Sequence, residues 1–172
     1  MRSIARRFAA AAALSAVLAV PARAQSQDIV ATAVAAGQFK TLASLLTEAD
    51  LVKTLQGPGP FTVFAPTDEA FSKVPPATLA ALKGDKKKLA EVLTYHVVPG
   101  RITAADLKKQ ADKDGYVTVK TAAGSDLKLH LAGDKVHVGP DMANVVKADV
   151  MASNGVIHVV DKVVLPPAKS GM

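Results

Sequence analysis

From Gly115 onward the apolar residues recur at every second position, a spacing that a strand satisfies and a helix does not. Five runs carry this period, over residues 116–121, 126–131, 135–138, 145–150 and 156–164, separated by Gly, Asn and Asp turns. The first third of the chain reads at helical spacing instead. Residues 28–36 predict a short helix stopped by Gly37, and Phe39, Leu42, Leu45, Leu46 and Ala49 form an apolar stripe on a second. Asp50 is placed to cap a third short helix that turns Leu51 and Leu55 inward. Gly57-Pro58-Gly59-Pro60 then interrupts regular structure, because each proline lacks an amide donor. Residues 61–65 predict a buried strand, and Pro66-Thr67-Asp68 opens a helical turn after it. A helix begins at Pro76 and stops at Gly84, and another, capped by Asp85, turns Leu89, Val92 and Leu93 inward. Residues 94–98 read as a strand, and Thr103-Ala104-Ala105-Asp106 as a capping-box variant that starts one more helix. Helices first and antiparallel strands after predict an α+β domain.

The formal charge of +6 is concentrated at one end. Arg2, Arg6, Arg7 and Arg23 lie in the first 24 residues, which hold no acid, and the other 148 residues carry 17 basic against 15 acidic groups. So even a balance argues against a nucleic-acid binder, which needs a concentrated basic face. The first 24 residues read as a secretory signal: arginines, then an apolar run over residues 8–20, then Ala22-Arg23-Ala24 as a cleavage pattern. That run has 13 residues, short of the ~20 that span a bilayer. The expected organisation is a signal peptide over 1–24, one domain over 25–167 and a short tail over 168–172. The expected destination is the periplasm or the exterior. With no cysteine, disulfides, thiolate zinc sites and cysteine nucleophiles are excluded.

No catalytic signature appears. No serine sits in a Gly-x-Ser-x-Gly elbow, and Gly57 and Gly59 precede prolines that remove the amides a phosphate loop needs. Asp112 and Asp114 before Gly115 read as an Asx-type turn, and Lys86-Lys87-Lys88 as a solvated helix face. Four histidines are left. A hairpin turned at Gly133-Asp134 sets His130 opposite His137, a weak candidate metal pair. Two ligands are too few for structural zinc, and the neighbouring Lys128 and Lys135 repel a dication, so no metal is assigned. His158, inside Val156-Ile157-His158-Val159-Val160, is expected to be buried, and a buried neutral imidazole needs both a donor and an acceptor partner. Tyr95-His96 reads as more open, with core packing and partner contact both in play.

Three segments resemble the fasciclin domain family. Residues 61–71 (Phe-Thr-Val-Phe-Ala-Pro-Thr-Asp-Glu-Ala-Phe) are similar to its first signature, residues 93–100 to its central Tyr-His segment, and residues 154–166 to its second signature. The resemblance implies helices packed on a wedge-like, mostly antiparallel β-sandwich. It also implies extracellular adhesion through a protein or glycan partner rather than catalysis; no cofactor and no transmembrane anchor are expected. By the same resemblance Tyr95, His96, Asp149 and Val150 are candidate partner contacts, with Val replacing the Ile of an Asp-Ile pair. Thr67, Asp68, Asn154, Gly155 and His158 are then structural, with Asp68 and His158 in internal hydrogen bonds. An alternative is a carrier of an apolar small molecule such as a carotenoid or lipid.

Overall fold

The computed structural model describes residues 27–166, so the expected leader and tail lie outside the described residues. The elements run α1 (Ile29–Ala36), α2 (Lys40–Glu48), α3 (Val52–Leu55), β1 (Phe61–Pro66), α4 (Asp68–Ser72), α5 (Pro76–Gly84), α6 (Lys86–Tyr95) and β2 (Val97–Pro99). They continue through α7 (Ala104–Gln110), β3 (Tyr116–Lys120), β4 (Asp126–Ala132), β5 (Lys135–Val138), β6 (Ala143–Ala152) and β7 (Gly155–Val160).

Four of the helices start where a side chain adjoining them in sequence can take up their free amides. Asp28 accepts from Ala31, Thr67 from Ala70, and Asp85 from Lys87 and Lys88, while Thr103 and Asp106 form a reciprocal capping box. Asp50 behaves differently from the expectation. Its φ is 57°, and the backbone N–H groups of Asp50 and Leu51 donate to Thr47 and Leu46. That pattern makes Asp50 the left-handed residue closing α2, not the cap of α3, which has no side-chain cap.

The strand expected over 94–98 is also corrected. Helix α6 continues through Tyr95, because the Thr94 hydroxyl and the His96 ring both bond back to carbonyls of the last turn. Only Val97–Pro99 is strand. The last strand stops at Val160 although Val163 and Val164 remain buried. There the Asp161 carboxylate accepts from both the backbone and side-chain nitrogens of Asn144, which bends the chain out of the sheet.

The seven strands lie in the order β2-β1-β7-β6-β5-β4-β3, antiparallel throughout except that β1 and β7 are parallel. The first and last signature segments are therefore neighbours, with Phe61 opposite Gly155 and Phe64 opposite His158. Strands covered on both faces read as continuous apolar runs, which is how both segments read. One face of this pair joins Val63, Ala65, Ile157 and Val159 to a core under α1–α4 and α6, including Leu42, Leu45, Phe71 and Leu93. On the other side, Phe64 and Val160 meet Val98, Val117, Leu129, Val138 and the α7 residue Leu107 in a second core. All seven strands send side chains into that second core, so the sheet bends around it. Ala122, just past β3, donates to the Val97 carbonyl of β2 at 2.7 Å and brings the two ends of the sheet together.

Candidate functional site

The candidate contact region grows out of an irregularity in β6. Lys147 pairs with Val159 and Val150 with Ile157, so Ala148 and Asp149 together oppose the single residue His158. Two residues against one is a bulge, and Asp149 takes it in a left-handed conformation, φ 55°. A further register shift at Val146 lies just upstream. These two shifts explain why β6 does not alternate cleanly between buried and exposed positions.

His158 fixes the bulge from below. Its Nε2–H donates to the Ile102 carbonyl at 2.9 Å, and its Nδ1 accepts from the Asp149 N–H at 3.4 Å. The Asp149 carboxylate in turn accepts from the Ala104 N–H at 2.9 Å, at the start of α7. Thr62, which the sequence reading did not single out, completes the support. Its hydroxyl donates to the Gly100 carbonyl and accepts from the Ile102 N–H, at 2.7 and 2.8 Å. The β2–α7 connection is thus tied to both central strands, and Asp149 stands at the surface on a fixed base. Burial lowers the pKa of His158, opposed by its bond to Ile102 and the Asp149 charge.

Val150 is half-buried beside Asp149 and lines a groove of about 290 Å³ between α1 and β6. Ala33, Phe39 and Ile157 form its apolar wall, with Lys147 at the edge. Val146, also on the groove, is 61% exposed, and Met151 is 53% exposed. Neither was anticipated. The available signal was adjacent apolar pairs, Val145-Val146 and Val150-Met151, which a regular strand cannot bury on one face.

Tyr95 and His96 do not join this surface. They are only 1% and 3% exposed, because α6 carries them inward between the two cores. The Tyr95 hydroxyl donates to the Asp126 carbonyl, and burial followed by the Asp141 and Asp126 charges raises its pKa. His96 donates from Nδ1 to the Val92 carbonyl at 2.8 Å and accepts at Nε2 from the Val164 N–H at 3.0 Å. Burial drives its pKa down to about 4, against a partial offset from the Val92 bond. Both buried histidines have each ring nitrogen committed to backbone, so neither ring has a nitrogen free to act as a general base.

The remaining motif residues tie distant segments together. Asp68 accepts from the Lys40 and Thr41 N–H groups, so it caps α2 from 28 residues away. Burial pushes its pKa up, but these hydrogen bonds outweigh it and leave the carboxyl below its ordinary value. Asn154 accepts from the Ile29 N–H and donates to the Leu55 and Gly57 carbonyls, joining α1 and α3 to the β6–β7 turn. Gly155 lies against β1, where an added Cβ would overlap the Phe61 carbonyl oxygen. His130 and His137 are directly opposite in the β4–β5 hairpin, their rings stacked with centroids 6.0 Å apart. Among the described residues no group of three or more His, Cys, Asp or Glu gathers to hold a metal.

Comparison with known proteins agrees with this architecture. Protein sll1483 of Synechocystis sp. is 44% identical over 155 residues, 89% of this chain and 81% of its own. Cell surface glycolipoprotein MPB83 of Mycobacterium bovis is 39% identical over 150 residues, 84% of this chain and 63% of that protein. Among solved structures, a FAS1 domain pair from the insect cell adhesion molecule Fasciclin I superposes with a TM-score of 0.64 at 20% identity, covering 78% of this chain and 47% of that one. No helix among the described residues is long and apolar enough to cross a membrane. The sequence pattern of the fasciclin domain matches residues 37–166, which takes in the sheet, the second core, the first core apart from α1, and the β6 bulge; this chain belongs to the fasciclin domain family.

Proposed function

We propose that the chain is exported and acts without catalysis, binding a protein or glycan partner at the cell surface or in the envelope, through the face around Asp149 and Val150. The observation that carries this reading is the bulge itself. It holds a carboxylate at the surface in a left-handed backbone conformation, on the same strand as exposed Val146 and Met151. A non-glycine residue in that conformation costs energy and persists where the surroundings enforce it, as His158 and Ala104 do here. An acid and exposed apolar side chains carried on one short stretch of strand are workable contact residues. Relatives named for the cell surface and for cell adhesion favour the same reading. One domain offers one modest interface, so useful avidity requires clustering.

The test is adhesion of cells displaying the chain. Asp149→Ala, and separately Val146→Lys with Met151→Lys, should reduce adhesion while circular dichroism reports an intact fold. The lysine variants alter side chains that are more than half exposed. Undiminished adhesion in both would remove this face from consideration.

The groove beside Val150 favours a second reading, transport of an apolar small molecule. At about 290 Å³ it lies at the lower end of ligand pockets, enough for a short acyl chain but not for a whole carotenoid. Organic extraction of protein purified from its host, followed by mass spectrometry, would detect such a ligand. Its absence would leave the groove as part of the contact face.

A further inference from the structure

On the outer face of β3, β4 and β5, Tyr116, Lys128 and Lys135 are exposed, while their alternating neighbours Val117, Leu129 and Val136 are buried in the second core. Strand register sets Tyr116 opposite His130 and His130 opposite His137, so three rings stand in a row across three strands. Ring centroids are 4.6 Å apart in the first step and 6.0 Å in the second. The rings lean on one another, so a ligand meets their polar edges rather than their faces.

Those edges are donors. Nδ1 of His130 and Nδ1 of His137 are shut off from solvent and have no hydrogen-bond partner. Stranding an acceptor is tolerated better than stranding an N–H, so the ring proton is assigned to the outward Nε2 in both. Lys128 and Lys135 flank the pair, and neither takes part in an ion pair among the described residues, whereas Lys108 is held by Asp134 at 2.8 Å. Lys120 shares this face and stands opposite Asp126, while the bordering acids are engaged, Asp112 accepting from the Tyr116 N–H at 2.8 Å and Asp134 holding Lys108. The lysines that oppose a dication favour an anion.

From this arrangement we infer that the β3–β5 face binds an acidic polysaccharide, whose carboxylates meet Lys128 and Lys135 and whose hydroxyls meet the His130, His137 and Tyr116 edges. Charge and hydrogen-bond complementarity select this ligand over the alternatives. A membrane surface would need an exposed aliphatic wedge, and this face carries none among the described residues. A nucleic acid would need a denser run of cations than Lys120, Lys128 and Lys135 supply. The inference rests on the reading of the chain as an envelope binder but uses a different face from Asp149.

The experiment is calorimetric titration with alginate, with dextran as neutral control and phosphatidylglycerol vesicles as lipid control. Saturable, salt-weakened binding to alginate alone is expected. Lys128→Gln with Lys135→Gln should weaken it about tenfold, as loss of two partly screened charges predicts. His130→Ala with His137→Ala should weaken it further, with circular dichroism confirming that the hairpin is retained, and Asp149→Ala should leave it unchanged. Absence of alginate binding, equal binding to dextran, comparable binding to vesicles, or indifference to the lysine variants would overturn the inference. Alginate binding retained by a protein that supports no adhesion would overturn only the Asp149 reading.

Discussion

His96 illustrates how burial of one residue becomes a property that can be measured. Its imidazole is enclosed, both nitrogens bond backbone, and its pKa falls from 6.5 to about 4. For a base with a lowered folded pKa, stability is fully present above 6.5 and is lost as pH falls toward 4, because only the unfolded chain takes up the proton. At about 1.4 kcal/mol per unit, the loss over that window is about 3 kcal/mol. His158, also lowered, acts in the same direction. Denaturant melts at a series of pH values between 7 and 4 should show this fall, and histidine NMR should show the His96 ring neutral until near the end of the window. Stability flat across that range, or a His96 ring titrating near 6.5, would contradict the assignment. Tyr95-His96 reads as open from the sequence because the strand expected there ends in Pro99-Gly100, whereas α6 runs on through Tyr95 and carries both rings inward. The helix-ending bond from His96 to Val92 is a contact that local pattern does not reveal.

At the scale of elements, what the chain makes legible is local, and what it hides joins segments far apart. The capping residues Asp85 and Thr103 could be read because each serves a helix that follows it directly, whereas Asp28, expected inside α1, is its cap. The β4–β5 register could be read because only one pairing around Gly133 keeps Leu129, Leu131, Val136 and Val138 on one face. Asp68 could be placed at a helix start, yet its second role at α2 could not, since nothing near Lys40 names a partner downstream. Asp50 misled for a related reason: a good capping residue between two helices can serve either, and here it closes the first. The double role of Asp68 is testable. Asp68→Ala should cost about 1–2 kcal/mol, the usual worth of an N-cap, while Asp68→Asn should recover most of it at neutral pH. Because the folded pKa of Asp68 is lowered below 3.8, its contribution is present above that value and lost as pH falls through the depressed one. The deficit of the Ala variant should therefore shrink at the acid end, to what a neutral acceptor oxygen still contributes. A deficit that does not shrink there would show that the charge on Asp68 adds nothing to the cap.

The whole molecule hangs on the parallel contact between β1 and β7, the pairing that the order of helices and strands did not announce. Strands from opposite ends of the domain meet there, and each lends one face to the helical core and the other to the core inside the bent sheet. Neither core can be completed without them, so the two should melt as one unit. Gly155 is the position at which to test this, because a methyl group there would press on the Phe61 carbonyl oxygen, and backbone cannot give way as a side chain can. Gly155→Ala should destabilise by about 3 kcal/mol, in the range of overpacking penalties. The loss should appear equally in two probes that report different cores. Far-UV dichroism follows the helices of the first core, and the near-UV signal of Tyr95 follows the second, in which that ring is buried. Coincident midpoints, shifted together in the variant, are what a shared pair of strands requires. If the Tyr95 signal keeps its wild-type midpoint while the helical signal moves, the cores are independent and the surface around Asp149 does not depend on the β1–β7 contact. That separation would also predict that adhesion survives Gly155→Ala, whereas a single cooperative unit predicts that it fails at the same temperature as both optical signals.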